Sequence, residues 1–156
     1  MTVSSGPEIK PNQIFTIYAH AVFHGGTDLM SVLFVEDDAM NRRVVKDMLA
    51  IVGLAMDEAA DAETGLGLID RNDYVAILMD LRMPGLDGLA AVEAIRARAD
   101  DKARTPIIVI TADERADLKQ LCARAGADAV LPKPVAMEAL FDALATTLPA
   151  DGALLI

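Results

Sequence analysis

At 156 residues the chain is long enough for one domain with a substantial core and too short for two comfortable ones. A formal charge of −10 excludes a nucleic-acid surface built on clustered lysine and arginine, and a lone cysteine, Cys122, excludes an internal disulfide. Apolar residues make up 53% and aromatics only 4%, so the core is expected to consist of Ala, Val, Leu, Ile and Met, as in helices packed on a parallel sheet.

Residues 1–29 read differently from the rest: Pro and Ser, then the mixed run IFTIYAHAVF at 14–23, then GGTD. They are expected to form an N-terminal extension, either disordered or adding one strand. The apolar run is far short of the roughly 20 residues a membrane span needs, and it lacks the basic leader and small-residue cleavage pattern of a secretory signal. No membrane insertion is expected, and a reducing cytoplasm suits the single thiol. His20 and His24 stand at HxxxH spacing without an evident third ligand, so no metal site is expected there.

From residue 31 short apolar runs alternate with longer segments of helical periodicity. The strand candidates are SVLFV (31–35), LAMDEA (54–59, the faintest), VAILM (75–79), PIIVI (106–110) and ADAVL (127–131). Between the first two, Met40, Val44, Val45, Met48, Leu49 and Val52 recur at three- and four-residue steps and Gly53 suits the helix end. A second helix is expected at about 62–71, weakened by Gly65 and Gly67. Leu89, Val92 and Ile95 mark a third, and Leu118, Leu121, Cys122 and Ala125, closing at Gly126, a fourth. Leu140, Phe141, Leu144 and Leu148 mark a fifth. The compact domain is expected over 30–148, with a short tail over 149–156. Strands without polar alternation imply a parallel sheet covered on both faces, in which ligands gather beyond the carboxyl ends of the strands.

At those ends stand Glu36, Asp37 and Asp38 after the first strand, Asp80 after the third, Thr111 after the fourth and Lys133 after the fifth. Each has an ordinary reading alone: Asp80 as a turn former, EDDAMNRR as acids serving a helix dipole, Thr111 as a cap, Lys133 as a turn lysine. Together they define one rim. Carboxylates crowded there repel unless a cation neutralises them. Mg²⁺ is the natural ion, since it binds through few carboxylates and accepts phosphate oxygens. An ammonium and a hydroxyl beside it suit phosphoryl transfer.

The motifs VLFVEDD, LMDLRMPGLDG, VITA and LPKP, standing in this order over about 30–148, resemble those of the receiver domains of two-component response regulators. The resemblance implies a flavodoxin-like doubly wound (βα)5 fold with a parallel sheet ordered 2-1-3-4-5. It also implies roles. Asp80 is the phosphoacceptor. Asp37 is a direct Mg²⁺ ligand, Glu36 holds the ion through water, and the backbone carbonyl of Arg82 is the third protein ligand. Thr111 is the switch hydroxyl and Lys133 the phosphate-binding lysine, followed by a cis bond to Pro134. The implied donor is a phosphohistidine on a sensor histidine kinase or histidine phosphotransfer protein, with a downstream protein partner reading the result and no direct nucleic acid. Such a chain catalyses only its own phosphorylation and dephosphorylation.

Three departures qualify the resemblance. Val130 stands where many relatives carry an aromatic residue that swings with the hydroxyl, so no aromatic gate is expected. Arg82 and Asp113 flank the site and either pair across it, shielding the phosphoryl group, or stay apart, with Arg82 solvated and Asp113 capping the fourth helix. Glu36 replaces the commoner aspartate. The expected protein is a receiver carrying no output domain, or a receiver module of a hybrid kinase. A receiver-like scaffold that is never phosphorylated has no need of the Glu36, Asp37, Asp80, Thr111 and Lys133 set. An aspartate-nucleophile phosphatase of DxD type needs a second acid where Arg82 stands.

Overall fold

The computed structural model describes residues 31–148. The expected extension over 1–29, with His20 and His24, and the tail over 149–156 lie outside the described residues. The strands are β1 (Ser31–Val35), β2 (Ala55–Ala59), β3 (Ala76–Asp80), β4 (Ile107–Thr111) and β5 (Ala129–Pro132). The helices are α1 (Ala39–Ile51), α2 (Ala62–Arg71), α3 (Gly88–Arg96), α4 (Leu118–Ala125) and α5 (Met137–Thr147), with a 3₁₀ turn at Asp101–Arg104. All strand pairs are parallel and the sheet runs β2-β1-β3-β4-β5, the expected doubly wound order.

Alternate residues of each strand face opposite layers. Val32, Phe34, Leu78, Ile108 and Ile110 pack under α1 and α5 against Val45, Leu49, Leu140, Phe141 and Leu144. Leu33, Val35, Ile77, Met79, Ile107 and Val109 pack under α2, α3 and α4 against Ile69, Val92, Ile95, Leu118 and Cys122. Every residue of β3 and β4 is buried, the physical reason their sequences show no polar alternation. Cys122 is a small buried apolar side chain. No helix among the described residues is long and apolar enough to cross a membrane.

The boundaries differ from the expected ones by a residue or two. Asp80 and Thr111 are the last residues of β3 and β4, not the first beyond them. β5 begins at Ala129, just after Asp128, whose amide donates to Ile107 O (2.8 Å) and whose carboxylate accepts from the Ile107 amide (2.9 Å) and from Arg96 (2.9 Å). Gly53 (φ 77°) and Gly126 (φ 112°) end α1 and α4 in the left-handed conformation that glycine tolerates best.

Candidate functional site

Because the strands run in one direction, their carboxyl ends share a single edge, and that edge collects the polar residues. Glu36 and Asp80 are 1% and 2% exposed, although both are acids, and Thr111 is buried with them. Lys133 reaches in from the turn after β5: its Nζ lies 2.7 Å from Glu36 Oε2 and 3.2 Å from Asp80 Oδ2. The Lys133 amide donates to Thr111 O (3.0 Å), and the Lys133–Pro134 bond is cis. Lys133 is therefore not a solvated turn lysine.

The acidic tract after β1 divides its work. Asp38 is the N-cap of α1, accepting from the amides of Met40 (2.8 Å) and Asn41 (3.0 Å). Glu36 turns inward, and its Oε1 accepts from the Asp38 amide (3.2 Å). Asp37 remains exposed, yet Glu36, Asp37 and Asp80 each present a carboxylate oxygen within 4.8 Å of the others. The remaining oxygen of Asp80, Oδ1, accepts from the Arg82 amide (3.3 Å).

Burial raises the pKa of the Glu36 carboxyl, with the Asp80 charge adding to the effect, against the hydrogen bond from Lys133. For Lys133 burial acts downward, but the Glu36 hydrogen bond and the Asp80 charge outweigh it, so its pKa is raised. Three carboxylates, two of them buried, thus share one ammonium, which leaves surplus negative charge on the rim. Hard oxygen donors at this mutual spacing fit Mg²⁺, which would remove that surplus.

Arg82 and Asp113 do meet: Nη2 of Arg82 lies 3.3 Å from Asp113 Oδ2. The Arg82 side chain is 73% exposed while that of Asp113 is 5% exposed. Asp113 also receives the Arg115 amide (3.0 Å) and Arg115 Nε (2.9 Å). The Arg115 amide does most to lower its pKa, and Arg82 adds to this. The alternative in which Asp113 caps the fourth helix does not hold, because α4 starts at Leu118 behind Asp117. Nor does Thr111 cap a helix: its Oγ1 accepts the Asp113 amide (3.1 Å) inside the loop that follows β4.

Val130 is partly buried on β5 and, with Thr111, Leu118 and Lys119, borders a hollow of about 320 Å³. Space remains beside Thr111 where a larger side chain would stand.

Two contributors escaped the sequence reading. Arg42 donates to the carbonyl of Glu36 (2.7 Å). Its position six residues after Glu36, in a tract read only for its acids, was the available signal. Gly88, the last residue of LMDLRMPGLDG, sits so close to β3 that a Cβ there would collide with the backbone of Asp80.

Known proteins share this arrangement of strands and motifs. The chain is 34% identical over 118 residues to the sensor histidine kinase RcsC of Salmonella typhi, a match that covers 76% of this chain and 12% of that protein. It is 36% identical over 126 residues to the response regulator MprA of Mycolicibacterium vanbaalenii, covering 78% of this chain and 53% of MprA. The chain therefore spans about an eighth to a half of these two relatives. Among solved structures, the receiver domain of sensor histidine kinase PA1611 from Pseudomonas aeruginosa, described with a magnesium ion in its active-site cleft, is 36% identical. It aligns with a TM-score of 0.67 over 75% of this chain and 95% of that one. The family model for the response regulator receiver domain matches residues 32–145, from the second residue of β1 into α5, and so takes in every rim residue described above. Fold, motif order and this match agree that the chain belongs to the response regulator receiver domain family of two-component signalling.

Proposed function

We propose that the chain accepts a phosphoryl group on Asp80 from a phosphohistidine, carried by a sensor histidine kinase or a histidine phosphotransfer protein. The observation that carries this reading is the convergence of Asp80 with Lys133 (3.2 Å) and with Glu36 and Asp37 on one rim. In the transfer an Asp80 carboxylate oxygen forms a bond to phosphorus while the phosphorus–nitrogen bond of the donor breaks. The departing imidazole keeps the electron pair and takes a proton from solvent. Lys133, already against Asp80, supplies a point charge to the phosphoryl oxygens. Glu36, Asp37, Asp80 and the carbonyl of Arg82 would hold Mg²⁺, which when bound neutralises charge on the carboxylates and on the phosphoryl oxygens. The chain acts on no separate substrate, so it is a signalling protein and not an enzyme. A cytoplasmic location follows from its donors.

Output follows from contacts that the new group offers. Thr111 Oγ1 accepts the Asp113 amide, so its hydroxyl hydrogen is free to turn toward a phosphoryl oxygen. That contact exists only in the phosphorylated state and biases the loop over 112–117, a population shift bounded by the difference in contacts between states. With Val130 in place of an aromatic, the change travels through backbone movement or another side chain to a downstream protein partner.

Incubation with a small phosphodonor and Mg²⁺ is expected to add one phosphoryl group, read by intact mass. The adduct should be labile to acid and to base and map to the peptide containing Asp80. A chelator should prevent it. Undiminished labelling without a divalent ion, or a label on another residue, would overturn the reading.

The Arg82–Asp113 pair joins the loops that follow β3 and β4, and with Arg82 largely in solvent it contributes little to stability. Its expected effect is kinetic. Arg82→Ala should shorten the lifetime of the phosphorylated state several-fold by admitting water, with the unfolding midpoint nearly unchanged. Phosphate release from isolated phosphoprotein measures this, and an unaltered lifetime would assign the pair no shielding role.

A further inference from the structure

We propose that Arg42 is a positioning residue that holds the loop carrying Glu36 and Asp37 in shape for the divalent ion, an inference that rests on reading Glu36, Asp37 and Asp80 as ligands. β1 ends at Val35, and the ladder continues one step further through the Glu36 amide, which donates to Ala59 O (2.9 Å). Beyond that point the sheet gives no support. The next anchor is Arg42 Nη1, which donates to Glu36 O at 2.7 Å. That carbonyl belongs to the planar peptide joining Glu36 to Asp37, so fixing its oxygen also fixes the plane from which Asp37 departs.

The guanidinium is itself steered. Arg42 Nε lies 3.2 Å from Glu58 Oε1, and Glu58 is shared with Lys46 at 3.7 Å. A planar fork serves the carbonyl and the carboxylate from two separate nitrogens in fixed relative positions, which an ammonium on a flexible stem holds less firmly. The Arg42 side chain is only 17% exposed, so water competes weakly for these bonds. α1 delivers it there: Asp38 caps the helix through its side chain, and the Arg42 amide donates to Asp38 O (3.1 Å). Glu36, Asp38 and Arg42 thus close a small ring in which Asp37 is the one acid left pointing out.

Charge and geometry predict opposite results when Arg42 is removed. As a mere counter-charge to the acids, Arg42 repels a divalent cation, and its loss would tighten Mg²⁺ binding. As a positioning group it keeps the ligands aligned, and its loss weakens binding. Calorimetric titration of Mg²⁺ into the full chain separates these. For Arg42→Gln the Kd is expected to rise about tenfold, the scale of losing a supporting partner of a metal ligand, with faster amide exchange at Asp37 and Asp38 than in α5. Arg42→Lys keeps the charge and loses the fork, and its Kd is expected between those of wild type and Arg42→Gln. If Arg42→Gln folds poorly, the lysine variant carries the test alone. A Kd unchanged or lowered, even with a lower melting temperature, would reduce Arg42 to a structural or purely electrostatic part. Wild type that binds no Mg²⁺ would overturn the ligand reading itself, a result distinct from wild type and variant binding equally.

Discussion

Asp80→Asn is expected to abolish phosphorylation while leaving the fold intact. Asparagine has nearly the shape of aspartate, and its amide oxygen can still accept the Arg82 amide that Oδ1 accepts now, while its NH2 takes the place of Oδ2 and gives Lys133 no acceptor. What disappears is the anionic oxygen that forms the bond to phosphorus. Lys133 keeps its 2.7 Å contact with Glu36, so no ammonium is stranded. Two carboxylates then face one ammonium in place of three, and the surplus charge falls by one. Two consequences follow with opposite signs. Without metal the variant should melt no lower than wild type, because removing one of the like charges at the rim offsets the loss of the Asp80–Lys133 contact. Mg²⁺ should bind at least about tenfold more weakly, since a charge interaction in a partly buried site is of that order or more, and its stabilising effect should shrink accordingly. Intact-mass labelling and thermal unfolding with and without Mg²⁺ measure all three. Full labelling of the variant would remove Asp80 as acceptor.

Much of this arrangement was legible because the sheet is covered on both faces. PIIVI and VAILM read as strands since every position in β3 and β4 is buried and, before the terminal Asp80 and Thr111, every one is apolar. β2 was faint for the converse reason. At the sheet edge Asp57 can accept the Tyr74 hydroxyl (2.7 Å) and Glu58 can meet Arg42, so polar residues interrupt the run. The rim residues were legible through topology: once the strands are parallel, Glu36, Asp37, Asp80, Thr111 and Lys133 must share an edge.

What stayed hidden depends on contacts between distant residues that leave no periodic trace. The division of EDD into an inward acid, an outward acid and a cap requires the turn into α1 to be known. Arg96 is a second case. It donates to the carbonyls of Gly126 (2.8 Å), Ala103 (2.7 Å) and Thr105 (2.7 Å), tying α3 to two loops, yet in sequence it is one basic residue at a helix end. Gly65 misled in the other direction. It counted against α2, but a Cβ there would lie 2.7 Å from a Val35 methyl, so the glycine marks close packing of helix on strand.

The same logic gives Gly88→Ala a large expected effect. Gly88 is the first residue of α3, behind the Asp87 cap, and its amide donates to Leu81 O (3.3 Å). A Cβ at this position would strike the carbonyl oxygen of Asp80 and lie 2.7 Å from Leu81 Cα. Both are backbone atoms, so no side chain can rotate away and the chain itself must shift. Overpacking of this kind costs about 1–3 kcal/mol. The displaced atoms belong to the acceptor residue and its neighbour, so reactivity should fall as well, by about tenfold or more for an acceptor moved by a fraction of an ångström. Gly67→Ala is the control within the same fold. Nothing lies within 4 Å of a Cβ at Gly67, which sits inside α2. Replacing a helical glycine with alanine there should stabilise by about 0.5–1 kcal/mol and leave phosphorylation unchanged. Urea unfolding and the rate of labelling by a small phosphodonor, measured on both variants, decide the matter. A Gly88→Ala protein that unfolds at the wild-type midpoint and labels at the wild-type rate would show that the strand and helix can separate without disturbing Asp80, and that the close approach is incidental to the site.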